Sequence, residues 1–590
     1  MIHKRGLSTC VLSLFLCVFC LIILTSGCGG SSTPISVGIN PLKAAIGTGQ
    51  TSQFTATVTR GSVKWTASAG TIDSTGDFTA PSGTQSMTVT VTATSTNDPT
   101  KSASATVNVV APGQVSPTAN VQVASYTIAP AAGGNVSVQF GTDTSYGLTT
   151  WTQPIPQGGG AVSLFVAGML ANTLYHMRGV VQFADGTQFN DADQTFTTGA
   201  LPSAQLPSIT VTTMPGMTPQ SGVEFLDLIG TGKFDLVVTD LGGNPLWTYD
   251  PGSTVPAGSL VGPYKLMPNG HILANFTLSN SVGLGLSSVL QEIDLGGNLI
   301  WQTTSTQLNQ ALAAATCAEC NVTILSTHHD FAILPNGHLI LLADTEQVIG
   351  GVTVTGDVLI DLDQNHNPVW AWNEFNHLDI NRRPFQYPDW THTNAVIYSS
   401  DDGNLIVSIR HQNWLVKVHY ANGTGAGDII WRLGYQGDFA LLAGTDPTDW
   451  FYAQHGPSFV TTNTTGKFTL NLFDNGNDRV FPSGVTCGAT GQPPCHYSTV
   501  PVLQLDETAK TATLSFHPTA PAFSFFGGNS EVLKNGNVEY CESASGPGVA
   551  GDIFEVTQDS SAQTVWNMHI MGQFAYRGQR IPSLYPGVQW

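Results

Sequence analysis

NGHLILLA at residues 336–343 and DGNLIVSI at 402–409 are two copies of one phrase, a polar turn with glycine followed by a strand of aliphatic residues. The phrase returns as GKFDLVV (232–238), NGHILANF (269–276), TGKFTLNL (465–472) and NGNVEYCE (535–542). A second phrase, a strand, a polar turn and an aromatic or apolar residue, accompanies each copy: DLGGNPLW (240–247), EIDLGGNLIW (292–301), IDLDQNHNPVW (360–370), GAGDIIW (425–431), QLDETAKTATLSF (504–516) and VTQDSSAQTVW (556–566). Asn-Gly and Asp-Gly supply the positive φ that tight hairpins demand, so each repeat reads as a hairpin. Six repeats across residues 205–590 suit an all-β fold whose six four-stranded blades close into a six-bladed β-propeller. A solenoid would show tighter periods and atypical capping repeats. Trp247, Trp301, Trp370, Trp431 and Trp566, with Phe516 in the fifth slot, are assigned to packing between blades.

Upstream, residues 35–111 alternate apolar and polar residues in short runs such as TSQFTATV and SASATVNVV, separated by Gly, Ser, Asn and Pro. They read as a β-sandwich, similar to bacterial Ig-like surface modules, with Trp65 as its core anchor. Residues 112–200 read as a second sandwich of fibronectin type III character, in which Tyr175 is placed for a tyrosine-corner hydrogen bond. The linker GALPSAQLPS (199–208) separates it from the repeats.

The first 27 residues carry Lys4 and Arg5, then an apolar stretch, then Leu-Thr-Ser-Gly directly before Cys28, the pattern of an export signal. A small-residue site abutting a cysteine resembles the bacterial lipobox, which implies lipidation of Cys28 and a tether over 28–34. Thr25 stands where the lipobox usually has an aliphatic residue, and the alternative is an uncleaved anchor helix. Either places the remaining chain outside the cytoplasm, and Gly29 after the cysteine favours the outer membrane. The net charge of −20 becomes −22 once Lys4 and Arg5 are removed, which speaks against nucleic acid or anionic lipid as a partner. Outside the cytoplasm, Cys317 with Cys320 and Cys487 with Cys495 read as two short-loop disulfides; zinc on the first pair is the alternative.

The chemistry collects on histidines. His329 lies eight residues before Gly337, His392 eleven before Gly403 and His455 eleven before Gly466, each at the start of a first hairpin strand. Because a hairpin brings its two ends together, the three imidazoles share one rim, and Arg410, seven residues after Gly403, returns to the same end. His328, His411, His271 and His338 lack that placement and are read as structural. Three imidazoles suit zinc or copper, but a guanidinium beside a dication costs Coulomb energy, so Arg410 favours an oxyanion and no metal.

THHDFAILPNGHLILLAD (327–344), DWTHTNAVIYSSDDGNLIVSIRHQN (389–413), IIWRLG (429–434), QHGPSFV (454–460) and LFDNGNDR (472–479) together resemble the bacterial arylsulfate sulfotransferases of the type that needs no phosphoadenylyl sulfate. The resemblance covers residues 205–590. It implies a propeller that moves a sulfuryl group from a phenolic sulfate donor to a phenolic acceptor, without a cofactor, by a ping-pong route through a sulfohistidine. Carried onto this chain, it implies that His455 is the nucleophile, that Arg410, His392 and Asn394 bind the sulfuryl oxygens, and that His329 exchanges the phenolic proton. A homodimer is also suggested. Trp390, Trp414, Phe451, Tyr452, Phe525 and Phe526 are candidates to stack a phenol. The competing functions are a surface propeller that binds a glycan or protein without catalysis, and an aryl sulfate hydrolase.

Overall fold

The computed structural model describes residues 33–590 apart from 231–233, 257–258, 280–284, 386–387, 464 and 547. The export signal and Cys28 therefore lie outside the described residues. The chain is all-β: its α-helices are Ser305–Ala314 and Glu374–His377 among the described residues, and no helix there is long and apolar enough to cross a membrane.

The strands from Val37–Asn40 to Ser102–Val110 enclose a core of Phe54, Phe78, Val89, Val91 and Val107. Trp65 is only half-buried at the edge of that core, which corrects its reading as the anchor. Phe54 and Phe78, fully buried and edge to face at 6.4 Å between ring centres, fill the centre instead. In the next unit, a sheet of Gln114–Pro117, Ala124–Ile128 and Val162–Val166 shares a core with a larger sheet built on Gly134–Gly141 and Leu174–Phe183. Tyr175 makes the expected corner, its hydroxyl accepting from Leu170 N at 3.0 Å.

Six antiparallel four-stranded arrangements follow. The second to sixth begin with Leu260–Leu266, Ile324–Ile333, Thr393–Ser399, His455–Thr461 and Asn529–Val532, and each adds its next three strands in chain order. Ala440–Leu442 extends the fifth and Ser208–Thr213 the sixth at their far edges. The first differs. Its order is Phe574–Ile581, Val223–Ile229, Leu236–Thr239, Pro245–Tyr249, so the C-terminal segment supplies the leading strand. GKFDLVV therefore enters the third strand, not the second, and the counterpart of NGHILANF is the segment from Ser221 and Gly222. An apolar strand after a glycine looks the same at either place, which is why the repeat is misphased there.

The recurrent indoles tie each sheet to the next. Trp247 Nε1 donates to Leu295 O at 2.9 Å, Trp370 to Gly425 O at 3.0 Å and Trp431 to Glu507 Oε1 at 2.8 Å. Trp301 instead stacks on His366 at 3.8 Å between ring centres. From the sixth sheet Trp566 donates to Leu241 O of the first at 3.0 Å. The same junction holds Arg580 on the C-terminal strand. It pairs with Glu224 of the first sheet and with Glu539 and Glu555 of the sixth, the last two at 3.0 and 3.1 Å, all with buried side chains. Both expected disulfides, Cys317–Cys320 and Cys487–Cys495, are formed, which leaves no thiolate there for zinc, and Cys541 is free and buried.

Candidate active site

Four of the leading strands carry a break in register beside a residue of the cluster. Register slips fall between Thr327 and Phe331, Thr393 and Ala395, His455 and Ser458, and opposite Tyr576 in the C-terminal strand. A bulge re-aims the side chains beside the slip, and His329 and Tyr576 both fall within one. His329 and His392 adopt φ of 54° and 51°, a left-handed backbone costing about 1–2 kcal/mol per residue that surrounding structure must sustain. His329 thus sits inside its strand, five residues past Ile324, and not at the start. His455 does open its strand, and Arg410 follows Ile409 into a 3₁₀ turn.

The expected residues converge. The rings of His329 and His392 meet edge to face at 4.7 Å, and Tyr576 stands edge-on to both His329 and His455 at 6.1 and 6.3 Å. His411, read as structural, belongs to the cluster: its ring stacks between His392 at 4.6 Å and Phe385 at 4.5 Å, and Arg410 Nη1 donates to its Nε2 at 2.6 Å. Arg410 also donates to Phe525 O at 3.1 Å. Asn394 is buried, gives one amide N–H to Gln454 O at 2.7 Å and leaves Oδ1 without a hydrogen bond.

All three aligned histidines are held from behind through Nδ1. His392 Nδ1 meets Asp389 Oδ2 at 2.5 Å, His455 Nδ1 meets Asn475 Oδ1 at 2.6 Å, and His329 Nδ1 meets His328 Nδ1 at 2.7 Å. Asn475 donates through Nδ2 to Ser524 O and Gly527 O at 2.7 and 3.0 Å, so its Oδ1 must be the acceptor and His455 carries its proton on Nδ1. The lone pair then resides on Nε2, which accepts a long hydrogen bond from Gly527 N–H at 3.3 Å.

Burial, reinforced by Arg410, holds His455 well below the ordinary imidazole range, and burial together with His392 does the same for His329. Burial and the neighbouring His392 push His411 down to about 3. Asp389 stays ionised, since His392 outweighs its burial and takes it down to about 2. His328 goes the other way: burial opposes its charge, but Asp344 and Asp357, at 3.2 and 3.0 Å from Nε2, push it up to about 9.

Asp389–His392–His411 and His328–Asp344–Asp357 bring ligand-type atoms within 4.8 Å of one another, as a metal ion would need. Arg410 on His411 opposes a dication at the first group, and a protonated His328 neutralises part of the second. Beneath the histidines, a cavity of about 140 Å³ is lined by the next residues in each strand, Asp330, Gly456 and Arg577, together with Asp227, Lys265 and Glu531.

Of the six aromatics proposed for phenol, Trp390, Trp414, Phe451 and Tyr452 are buried core residues, while Phe525 is exposed and Phe526 partly so, packed against Phe574. Phe525 reaches the cluster through its backbone carbonyl, which accepts from Arg410. Tyr576, Phe385, Asn475 and His328 were missed as site residues; Asn475, inside LFDNGNDR, and His328, inside THHDFAILPNGHLILLAD, lay in stretches that could have flagged them.

The arylsulfotransferase (ASST) family pattern matches residues 228–577, more than half of the chain, and this span holds His329, His392, Asn394, Arg410, His411, His455, Asn475 and Tyr576. The chain belongs to that family of sulfotransferases, which act on phenolic sulfate donors and acceptors. No curated protein matches it. Among solved structures, an ICAM-5 D1–D4 ectodomain fragment is 10% identical, covering 56% of this chain and 100% of its own at a TM-score of 0.17. A tetra-tandem repeat from the extending region of a large adhesion protein is 13% identical, covering 56% and 99% at 0.13. Both likenesses are too slight to bear on the fold.

Proposed function

We propose that this is a six-bladed propeller enzyme, carried behind two sandwich modules on a lipidated Cys28 outside the cytoplasm, that transfers sulfuryl groups between phenols through a sulfohistidine on His455. The observation that carries this reading is the hydrogen bond that His455 Nδ1 donates to Asn475 Oδ1, which leaves the lone pair of a neutral, buried imidazole on Nε2. In the first half-reaction Nε2 attacks sulfur, the N–S bond forms, and the S–O bond to the aryl group breaks. The ring gains positive charge, which the Nδ1–H bond to Asn475 disperses. Arg410, His392 and Asn394 surround the sulfuryl oxygens, where charge spreads in the transition state, and His329 delivers a proton to the departing phenolate. An acceptor phenol then gives its proton to His329, attacks the same sulfur and restores His455. No nucleotide or metal enters this scheme.

Incubation with 4-nitrophenyl sulfate, with and without phenol, tests it. A stoichiometric burst of nitrophenol with a sulfo adduct on the His455 peptide, then turnover only when phenol is added, is expected. Steady release without phenol would make it a hydrolase, and no release at all a binding protein.

A further inference from the structure

A neutral imidazole whose pKa is held far below 7 is a poor acid, yet the scheme asks His329 to protonate a phenolate. The residue behind it resolves the conflict. His328 is buried, its Nε2 flanked by Asp344 Oδ1 and Asp357 Oδ1 and its Nδ1 against His329 Nδ1. Two nitrogens 2.7 Å apart must be one donor and one acceptor. The carboxylates are held in turn: Asp357 Oδ2 accepts from Thr391 Oγ1 and Thr393 N at 2.5 and 2.8 Å, and Asp344 Oδ2 from Ser326 Oγ and Gly285 N at 2.8 and 3.1 Å. Asp389 adds negative charge nearby, burial and then Asp357 hold Glu374 well above the carboxylate range, and His329 is the partner on the opposite side.

We propose that His328 is a proton-supplying positioning residue acting through His329: its Nδ1–H donates to His329 Nδ1, so that His329 presents Nε2–H to the leaving phenolate. As the S–O bond breaks, the Nε2 proton moves to the phenolate oxygen while the His328 Nδ1 proton moves to His329 Nδ1. His329 ends neutral in its other tautomer, and His328 ends neutral between its carboxylates. The acceptor phenol reverses both transfers, so no proton is gained or lost over the cycle. The acid that matters is then His328, held near 9, close to the range of a phenol, and not the low-pKa imidazole that touches substrate.

This rests on the sulfohistidine reading, and the test separates the two. His328→Gln can still donate a hydrogen bond to His329 but cannot pass a proton. With unactivated phenyl sulfate, its first half-reaction should slow by about 100-fold, and with 4-nitrophenyl sulfate, whose phenolate needs little protonation, by under about fivefold. In the wild type, transfer from phenyl sulfate should fall as pH rises through about 9, because His328 must be protonated. In Asp357→Asn that basic limb should move about one unit lower. Equal losses with both donors, an unmoved basic limb, or a stoichiometric divalent ion found by elemental analysis at His328 Nε2 would each overturn the relay. A wild-type enzyme that forms no sulfo adduct would overturn the parent reading, whatever the variants do.

Discussion

His455 Nδ1 and Asn475 Oδ1 lie 2.6 Å apart, and two backbone carbonyls on the Asn475 amide nitrogen decide which of them is the donor. One side-chain orientation thereby selects the tautomer of a ring twenty residues away. Asn475→Asp should place a carboxylate against Nδ1 and favour imidazolium, which cannot attack. Sulfo-enzyme formation at pH 7 should fall by about 10–100-fold and recover as pH rises, whereas the wild type shows no such acid limb near neutrality. A single-turnover pH profile of both proteins checks this.

Tyr576 carries a buried hydroxyl with no hydrogen-bond partner, standing between the rings of His329 and His455. Removing an unsatisfied buried hydroxyl relieves a desolvation cost of about 1–3 kcal/mol. Tyr576→Phe should therefore leave the thermal midpoint unchanged or raised while lowering transfer by about tenfold or more, if that hydroxyl meets the sulfuryl group. Calorimetry alongside the transfer assay measures the two effects separately.

His455, His329 and His411 all have folded-state pKa values depressed below the ordinary imidazole value, that of His411 to about 3. In the unfolded chain each gains a proton as pH falls through about 6.5, while the folded form resists it. Stability from these groups is complete above about 6.5 and is lost as pH falls, by up to about 1.4 kcal/mol per pH unit per group. His328 has the opposite sign: its contribution is present below about 6.5 and is lost as pH rises through about 9. Denaturant midpoints across pH 4–10 should drop steeply on the acid side, and His411→Phe, which keeps the stack on Phe385 and His392, should make that drop shallower.

Arg580 pairs with Glu224, Glu539 and Glu555 at the junction of the last strand with the first and sixth sheets. Arg580→Met strands those carboxylates and should destabilise the protein by about 3–5 kcal/mol at pH 8. Burial, then Glu224, already hold Glu539 well above the carboxylate range, so the loss should shrink as pH falls and the acids protonate. Urea unfolding at pH 8 and pH 5 compares the two conditions.

The repeats, the all-β class, the two cysteine pairs and the rim shared by His329, His392, His455 and Arg410 were all legible in the sequence, because turn chemistry and alternating apolar residues are local properties. The first repeat was misphased because its leading strand, Phe574–Ile581, lies some 350 residues from its partner Val223–Ile229, and no local pattern records that pairing. The same distance hid Tyr576. His328 and His411 were discounted because they lack the aligned placement of the other three histidines. The register slip between Thr327 and Phe331 and the 3₁₀ turn Arg410–Gln412 hold them in the cluster. The amino acids alone determined which residue types gather at this rim. Only the tertiary structure decided that each imidazole is held through Nδ1, because that depends on the partner packed behind it: Asp389, Asn475 or His328.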